Sequence, residues 1–479
     1  MSVVVMESLR AWWPEILLSA GALLVILSGA WSRRGTAPLV AAWITLVASG
    51  VALGHTPVLP QSGLFSGLVI CDPISLAIRW IALVTVGLVV LMIMGSREVD
   101  ASLRGEYVGL VLLIGVGLMI MAEANHLLMA YLGVELVSLT SYILVGLVKD
   151  ARSAEASLKY LLFGALSSGV MLFGMSLLFG LTGELAFPRL QQAVAGLSGP
   201  AVGLLLTAVA LLLAGVAFKI SMVPFHLWTP DAYEGAPIPV AALLSVGPKA
   251  AGLALLLRLM EALGAAWPEV VALMLTLTVI TMTLGNVVAL VQTNAKRLLA
   301  YSTIGQVGYL LIGFVVNSEA GRHALLVYLV AYCVMNLGLF ACLVAVANDA
   351  RSDSLEAFQG LAQRAPALAA ACAIFLLSLA GIPPLAGFIG KFLLFGAALQ
   401  AELTGLAIVA AVNSALALYY YVNIIRLMYF GNPKRSGAPS PSPALTVALG
   451  ACALATVLFG LFPGPLLDWL RTAAHVNLL

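Results

Sequence analysis

The sequence predicts an all-α polytopic membrane protein of about fourteen transmembrane helices, each needing roughly 20 apolar residues to cross a hydrocarbon core. Composition is the first reason. Of 479 residues, 62% are hydrophobic and only 9% are charged, and the mean hydropathy is +1.08, a balance foreign to soluble globular domains. The second reason is spacing, because apolar runs of spanning length recur along the whole chain between short polar connections. The third is the placing of charge. Lys219 and Lys249 lie inside such runs, in FKISMVPFHLW and LLSVGPKAAG, where a central lysine costs about 2.5 to 3.5 kcal/mol on insertion scales.

Near the N-terminus, Glu7 and Glu15 stand where a signal peptide carries basic residues, so the first apolar run is expected as a retained helix. Spans are predicted over 14–32, 38–55, 74–94, 106–122, 126–148, 159–182, 200–222, 238–259, 268–291, 297–316, 322–347, 366–399, 403–430 and 443–462. The seventh and twelfth are expected to be discontinuous. MVPFHLW (222–228) and AGIPPLAGFIGK (380–391) put Pro and Gly where helical hydrogen bonding should continue. Each break falls fourth in a block of five spans, which divides the chain into three N-terminal helices (1–100), a first repeat (101–262), a second repeat (263–432) and a C-terminal helix with its tail (433–479). Paired interrupted helices mark an ion path at the membrane midplane in repeat-built transporters. Whether the repeat is parallel or inverted does not follow from the residues alone.

Cytoplasmic connections collect Lys and Arg. One side receives Arg33, Arg34, Arg97, Arg104, Lys149, Arg152, Lys159, Lys296, Arg297, Arg351, Arg364, Arg426, Lys434 and Arg435, and the other only Arg10, Arg79, Arg189, Arg258, Arg322 and Arg471. Both termini are therefore expected on the outer side, periplasmic in a bacterium. The basic residues form no stripe for nucleic acid. Cys71, Cys333, Cys342, Cys372 and Cys452 are scattered without metal or disulfide spacing and read as small core residues.

Among the acidic residues, Glu135 alone falls near the middle of a span, in MAYLGVELVSLTSYILVG. With Lys219, Lys249 and Lys391 it makes a set of one carboxylate and three amines at membrane depth, suited to proton relay, with Glu135 and Lys219 as a candidate gating pair. Bridging groups are sought among Ser138, Ser141, Ser221, Ser245, Thr283, Asn286, Ser302, Thr303, Gln306, Tyr309, Tyr332 and Asn336. Secondary candidates are His226, beyond the first break, and Asp231 and Glu234 in WTPDAYEGAP, at a helix start or at a cytoplasmic proton-uptake site. Ordinary helix packing is the alternative for most of these residues.

Three stretches carry a resemblance. FKISMVPFHLWTPDAYEGAPIPVAALLSVGPKAAG, NAKRLLAYSTIGQVGYLLIG and LSLAGIPPLAGFIGKFLLF resemble the signature segments of the antiporter-like membrane subunits of respiratory complex I, subunit N most closely, and the resemblance covers roughly 100–430. It implies fourteen transmembrane helices with two inverted five-helix repeats, each with a broken helix. It also implies a proton path in which Glu135 and Lys219 pair, Lys249 is central and Lys391 lies toward the exit. Lys391 separates the chain from the sister subunit M, which has a glutamate there, and no long lateral helix of the subunit L kind follows span fourteen. Gln306 departs from the histidine of many bacterial relatives and is similar to the photosynthetic forms. Glutamine does not titrate, so it is expected to orient a neighbour and not to act as a titrating link, and the electron donor is left open between NADH and ferredoxin.

No nucleotide-binding loop or cluster-binding cysteine set is present in the sequence, so NADH and FMN, iron–sulfur clusters and quinone are expected in partner subunits. Expected partners are the other membrane subunits of complex I, including sister antiporter-like subunits, and the lipid bilayer. The competing readings are a subunit of a multi-subunit Na⁺/H⁺ antiporter and a structural scaffold. Sodium wants several oxygen ligands where this axis offers one carboxylate and three amines, and a scaffold leaves three costly lysines unexplained.

Overall fold

The computed structural model describes residues 2–31, 36–58, 64–434 and 437–474. Arg33, Arg34 and Arg435 of the charge count lie outside them. Among the described residues, thirteen helices are long and apolar enough to cross a membrane, and the shorter pair Pro366–Ala380 and Ala386–Gln400 together makes one further crossing. Short helices Ser2–Ala11, Phe187–Ala195, Trp228–Gly235 and Gly464–Ala474 complete the architecture.

Caps set the helix limits more than hydropathy does. The helix expected from 159 begins at Ala151, because Asp150 accepts a hydrogen bond from Ser153 N at 2.6 Å, and it runs on to Thr182, where Gly183 closes it at φ 69°. Its added turns carry Arg152, Glu155 and Lys159 beyond the apolar run. Glu319–Ala350 likewise outgrows its apolar core, started by Ser318 and stopped by Arg351 at φ 51°. Both helices are longer than the bilayer requires, and their extra turns bear charge.

The centre of the bundle is Ile238–Ala262, whose most apolar window is buried throughout, flanked by Ala295–Val315 and Glu319–Ala350. Helices apolar all round belong in such an interior. Trp13–Trp31, Thr36–Gly54 and Pro443–Leu461 are buried over only about a third of theirs and form the rim. Gly285 of Trp267–Ala289 faces the backbone of Gly305 in Ala295–Val315, leaving no room for a Cβ between the two helices.

The two breaks share one construction. Pro200–Ile220 ends at Ser221 (φ 64°) and Pro366–Ala380 at Gly381 (φ 90°). In each, the next residue's N–H reaches back over the turn, Met222 to Ala217 O at 2.8 Å and Ile382 to Leu377 O at 3.0 Å. Backbone groups released there are met by protein, as membrane depth demands: Thr281 Oγ1 accepts from Val223 N at 3.1 Å, and Ser378 Oγ from Gly387 N at 3.0 Å. The broken crossing is fourth from Arg104–Glu123 and again fourth from Trp267–Ala289. Five crossings are an odd number, so the second set starts on the opposite face from the first and runs inverted to it.

Two residues assigned to the sparse outer side of the charge count are not in connections at all. Arg79 lies in the second turn of Pro73–Gly95 and Arg258 near the end of Ile238–Ala262, both with no solvent exposure. Each meets carboxylates inside the protein, so neither reports on orientation.

Candidate functional site

Lys219, Lys249 and Lys391 are all buried, at 0%, 0% and 3% exposure. Among the described residues none of them ion-pairs with a carboxylate. Each amine is met by neutral dipoles, and the local sequence explains which.

Pro248 stands inside Ile238–Ala262, has no N–H, and so leaves the carbonyl of Leu244 without its helical donor. Lys249, the next residue, donates its Nζ to that oxygen at 2.9 Å. The same ammonium sits 4.8 Å from the Trp228 ring centre and 5.5 Å from that of Tyr233, where ring quadrupoles attract a cation. Lys391 uses the second break in the same way. Its Nζ donates to Leu379 O (3.0 Å), Ala380 O (3.1 Å) and Ser414 Oγ (2.9 Å) and lies 4.4 Å from the Tyr309 ring centre.

Lys219, on the last turn before the first break, donates to Ser138 Oγ at 2.7 Å. The expected direct pair with Glu135 is not formed in this structure. Glu135 is half-buried one helical turn before Ser138, and its Oε1 is buried without a hydrogen-bond partner. A hydroxyl thus stands where a carboxylate was expected. In the first break the released Phe218 carbonyl is taken by Trp228 Nε1 at 3.0 Å, and Trp228 stacks on Tyr160 with ring centres 4.2 Å apart.

Side chains fill much of the space from Lys249 to Lys391. Tyr332 donates to Ser245 O at 3.0 Å and Thr303 Oγ1 at 3.2 Å, and Asn336 Nδ2 donates to Ser245 Oγ at 2.6 Å. One turn after Thr303, Gln306 accepts from Tyr328 OH and donates to Tyr421 OH and to Leu379 O, each at 3.2 Å. Leu379 O therefore serves both Gln306 and Lys391. Ser414, Tyr328 and Tyr421 were missed in the sequence, where nothing separates them from packing residues. Pro248 was missed as well, although its place directly before a membrane lysine was a signal, since a proline there frees a carbonyl one turn back.

The secondary candidates divide. His226 is buried with Nδ1 unpartnered, and among the described residues no hydrogen bond joins it to a lysine. Asp231 and Glu234 lie in Trp228–Gly235 on the basic face, both bound by Arg297 Nη1 at 2.9 and 2.8 Å. Arg152 adds Glu234 (2.9 Å) and Asp353 (3.2 Å), and Lys159 adds Asp231 (3.1 Å). Arg152, Glu155, Lys159, Asp231, Glu234 and Arg297 line a recess of about 250 Å³. The Asp353 carboxyl, in the loop after Ala350, is pushed up by burial, but Lys296, Asn294 and Arg152 outweigh that and hold it below its usual range.

A family model described as NADH:quinone oxidoreductase/Mrp antiporter, transmembrane, matches residues 124–417. NADH-quinone oxidoreductase subunit N 2 of Sorangium cellulosum is 43% identical, with 98% of each chain covered. A chain of respiratory complex I from Thermus thermophilus superposes with a TM-score of 0.81 at 33% identity, covering 95% of this chain and 98% of that one. A chain of the Mrp complex from Dietzia sp. shares the fold, with a TM-score of 0.81 at 23% identity over 98% of this chain and 97% of that one. Broken helices, buried lysines and these likenesses agree, and the chain belongs to the NADH:quinone oxidoreductase/Mrp antiporter family of membrane subunits, alongside its subunit N members.

Proposed function

We propose that this chain is the proton-moving membrane subunit of a complex I-type NADH or ferredoxin:quinone oxidoreductase. Protons pass along Glu135, Lys219, Lys249 and Lys391, and quinone reduction in partner subunits supplies the energy. The observation that carries this reading is the run of three buried amines, none of which touches a carboxylate among the described residues. A lysine held by carbonyl and hydroxyl dipoles keeps a proton that it can pass on, whereas one locked to a carboxylate holds a fixed charge. Ser138 sits where it relays between Glu135 and Lys219. Gln306, which does not titrate, orients the hydroxyls between Lys249 and Lys391. The recess at Asp231 and Glu234 is the uptake side.

The chain carries no redox step and is inactive as an oxidoreductase on its own. NADH, FMN, iron–sulfur clusters and quinone belong to partner subunits, among them sister antiporter-like subunits. The basic face is cytoplasmic and both termini lie outside, in a bacterial inner membrane. Residues 101–262 and 263–432 act as the two halves of the path. Sodium transport fits less well, because the lysine axis offers amines where that ion needs oxygen ligands.

Moving one charge against 100 mV takes about 2.3 kcal/mol, so breaking the axis should uncouple transport without unfolding the chain. The test is proton pumping against electron transfer in vesicles bearing the complex with Lys219→Ala, after native gels show that it is intact. Fewer protons per electron supports the axis. Unchanged pumping in an assembled variant removes Lys219 from it.

A further inference from the structure

Away from the lysine axis, beside the helix Ser2–Ala11, three helices bring a second group of charges together. Glu15 comes from Trp13–Trp31, Arg79 from Pro73–Gly95 and Glu123 from the end of Arg104–Glu123, at 1%, 0% and 0% exposure. Arg79 grips Glu15 with both arms of its fork, Nε to Oε1 at 2.8 Å and Nη2 to Oε2 at 2.7 Å, and Nη2 also donates to Ala11 O. Its remaining nitrogen, Nη1, donates to Cys71 Sγ at 3.6 Å while lying 2.9 Å from Glu123 Oε1. Among the described residues, that oxygen accepts no well-aligned hydrogen bond, its only charged contact being this ion pair with Arg79. The other oxygen of Glu123 accepts from Trp12 Nε1 at 2.9 Å.

The neighbouring charges cancel among themselves. Arg258 binds Asp72 through Nη1 at 3.0 Å and Nη2 at 2.9 Å, and its Nε donates to Ala122 O. Cys71 is an uncharged thiol. The titratable and charged groups facing the site from every packed element are thus two glutamates, one aspartate, two arginines and a cysteine. With every carboxylate ionised, this group carries one net negative charge out of reach of water. Uncompensated, a buried ion costs several kcal/mol.

We propose that Glu15, Arg79 and Glu123 form a proton-binding site that holds one proton between two carboxylates. A hydronium ion of the outer solution gives up one proton, its O–H bond breaking as the carboxyl O–H bond forms, and is left as water; the cluster becomes neutral. Arg79 satisfies Glu15 as a carboxylate through both arms of its fork, whereas it meets Glu123 through a single oxygen, so Glu123 is the better seat for the proton. The site stands independently of the lysine axis, and its test does not depend on pumping.

The experiment uses the intact complex at neutral pH and compares infrared spectra of wild type, Glu123→Gln and Glu15→Gln in H₂O and D₂O. The expected result is one protonated-carboxyl band, shifted by deuterium, that is present in wild type and lost in both variants, because either change leaves one carboxylate balanced by Arg79. Each single variant should assemble, since the amide is a neutral stand-in for the protonated carboxyl. Glu15→Gln combined with Glu123→Gln strands Arg79 and should unfold at a lower temperature than either alone. Wild-type and single-variant spectra with no such difference overturn the site, and so does failure of Glu123→Gln to assemble.

Discussion

The protein treats two sets of buried cations oppositely, the arginines Arg79 and Arg258 and the lysines Lys219, Lys249 and Lys391. Arg79 and Arg258 meet carboxylate oxygens at 2.7 to 3.0 Å. Lys219, Lys249 and Lys391, buried to the same degree, meet hydroxyls, carbonyls and ring faces. Guanidinium stays protonated and its planar fork matches a carboxylate, so it suits a permanent tie between helices. An ammonium gives up its proton when its surroundings ask it to. The arginines tie Trp13–Trp31, Pro73–Gly95, Arg104–Glu123 and Ile238–Ala262 together at one face. Through the middle of the bundle, the lysines carry no such tie.

One substitution made at both kinds of site separates them most sharply. Arg79→Met leaves Glu15 and Glu123 facing each other without their cation, and breaking a buried pair in this way costs about 3 to 5 kcal/mol. The assembled chain should largely disappear from native gels of the membrane. Lys249→Met removes an ammonium that has no ionic partner, and it strands only the carbonyl of Leu244. Assembly should persist while protons moved per electron fall; loss of assembly there would mean that the lysine is as structural as the arginine.

A gentler change tests how the lysine is held. Pro248→Ala restores a backbone N–H that competes with Lys249 for Leu244 O. One ordinary hydrogen bond is worth about 0.5 to 1.5 kcal/mol, so the helix should be slightly more stable and pumping a few-fold slower at unchanged assembly. Identical pumping rates would show that the carbonyl does not position Lys249.

Much of this was open to sequence reading, and what was not has a physical reason. The fourteen crossings and both breaks follow from apolar length and from proline and glycine placement, which are local properties. The depth of Lys219, Lys249 and Lys391 follows in the same way. Arg79 and Arg258 misled, because a charge near the end of an apolar run looks like a loop residue until its partner is known, and Glu15, Glu123 and Asp72 are supplied by distant segments. The Glu135–Lys219 expectation met Ser138 for a related reason: residues one turn apart share a helix face, and spacing does not say which of them reaches the amine. Helix ends at Ala151 and Ala350 were missed because caps, not hydropathy, fix them.

The smallest expected effect lies on the opposite face, where ion pairs are partly wet. Asp353 bonds Arg152 at 3.2 Å and lies 3.4 Å from Lys296. Its carboxyl is held below its ordinary value of 3.8, burial acting upward and Lys296, Asn294 and Arg152 downward. A carboxyl lowered in the folded state contributes stability that is present in full above its unfolded value. That contribution is lost as the pH falls from about 4 through the lower folded value. Arg152 is half exposed, so screening keeps the contribution at the modest level of surface pairs, about 0 to 1 kcal/mol. Asp353→Asn should therefore flatten the acid limb of thermal stability slightly below pH 4 and leave neutral pumping nearly unchanged. An unaltered acid limb would show that Lys296, which also donates to Ala236 O at 3.0 Å, is held by that carbonyl and not by the carboxylate. The basic face would then follow the rule of the buried lysines, with dipoles doing the work that charges do at Arg79.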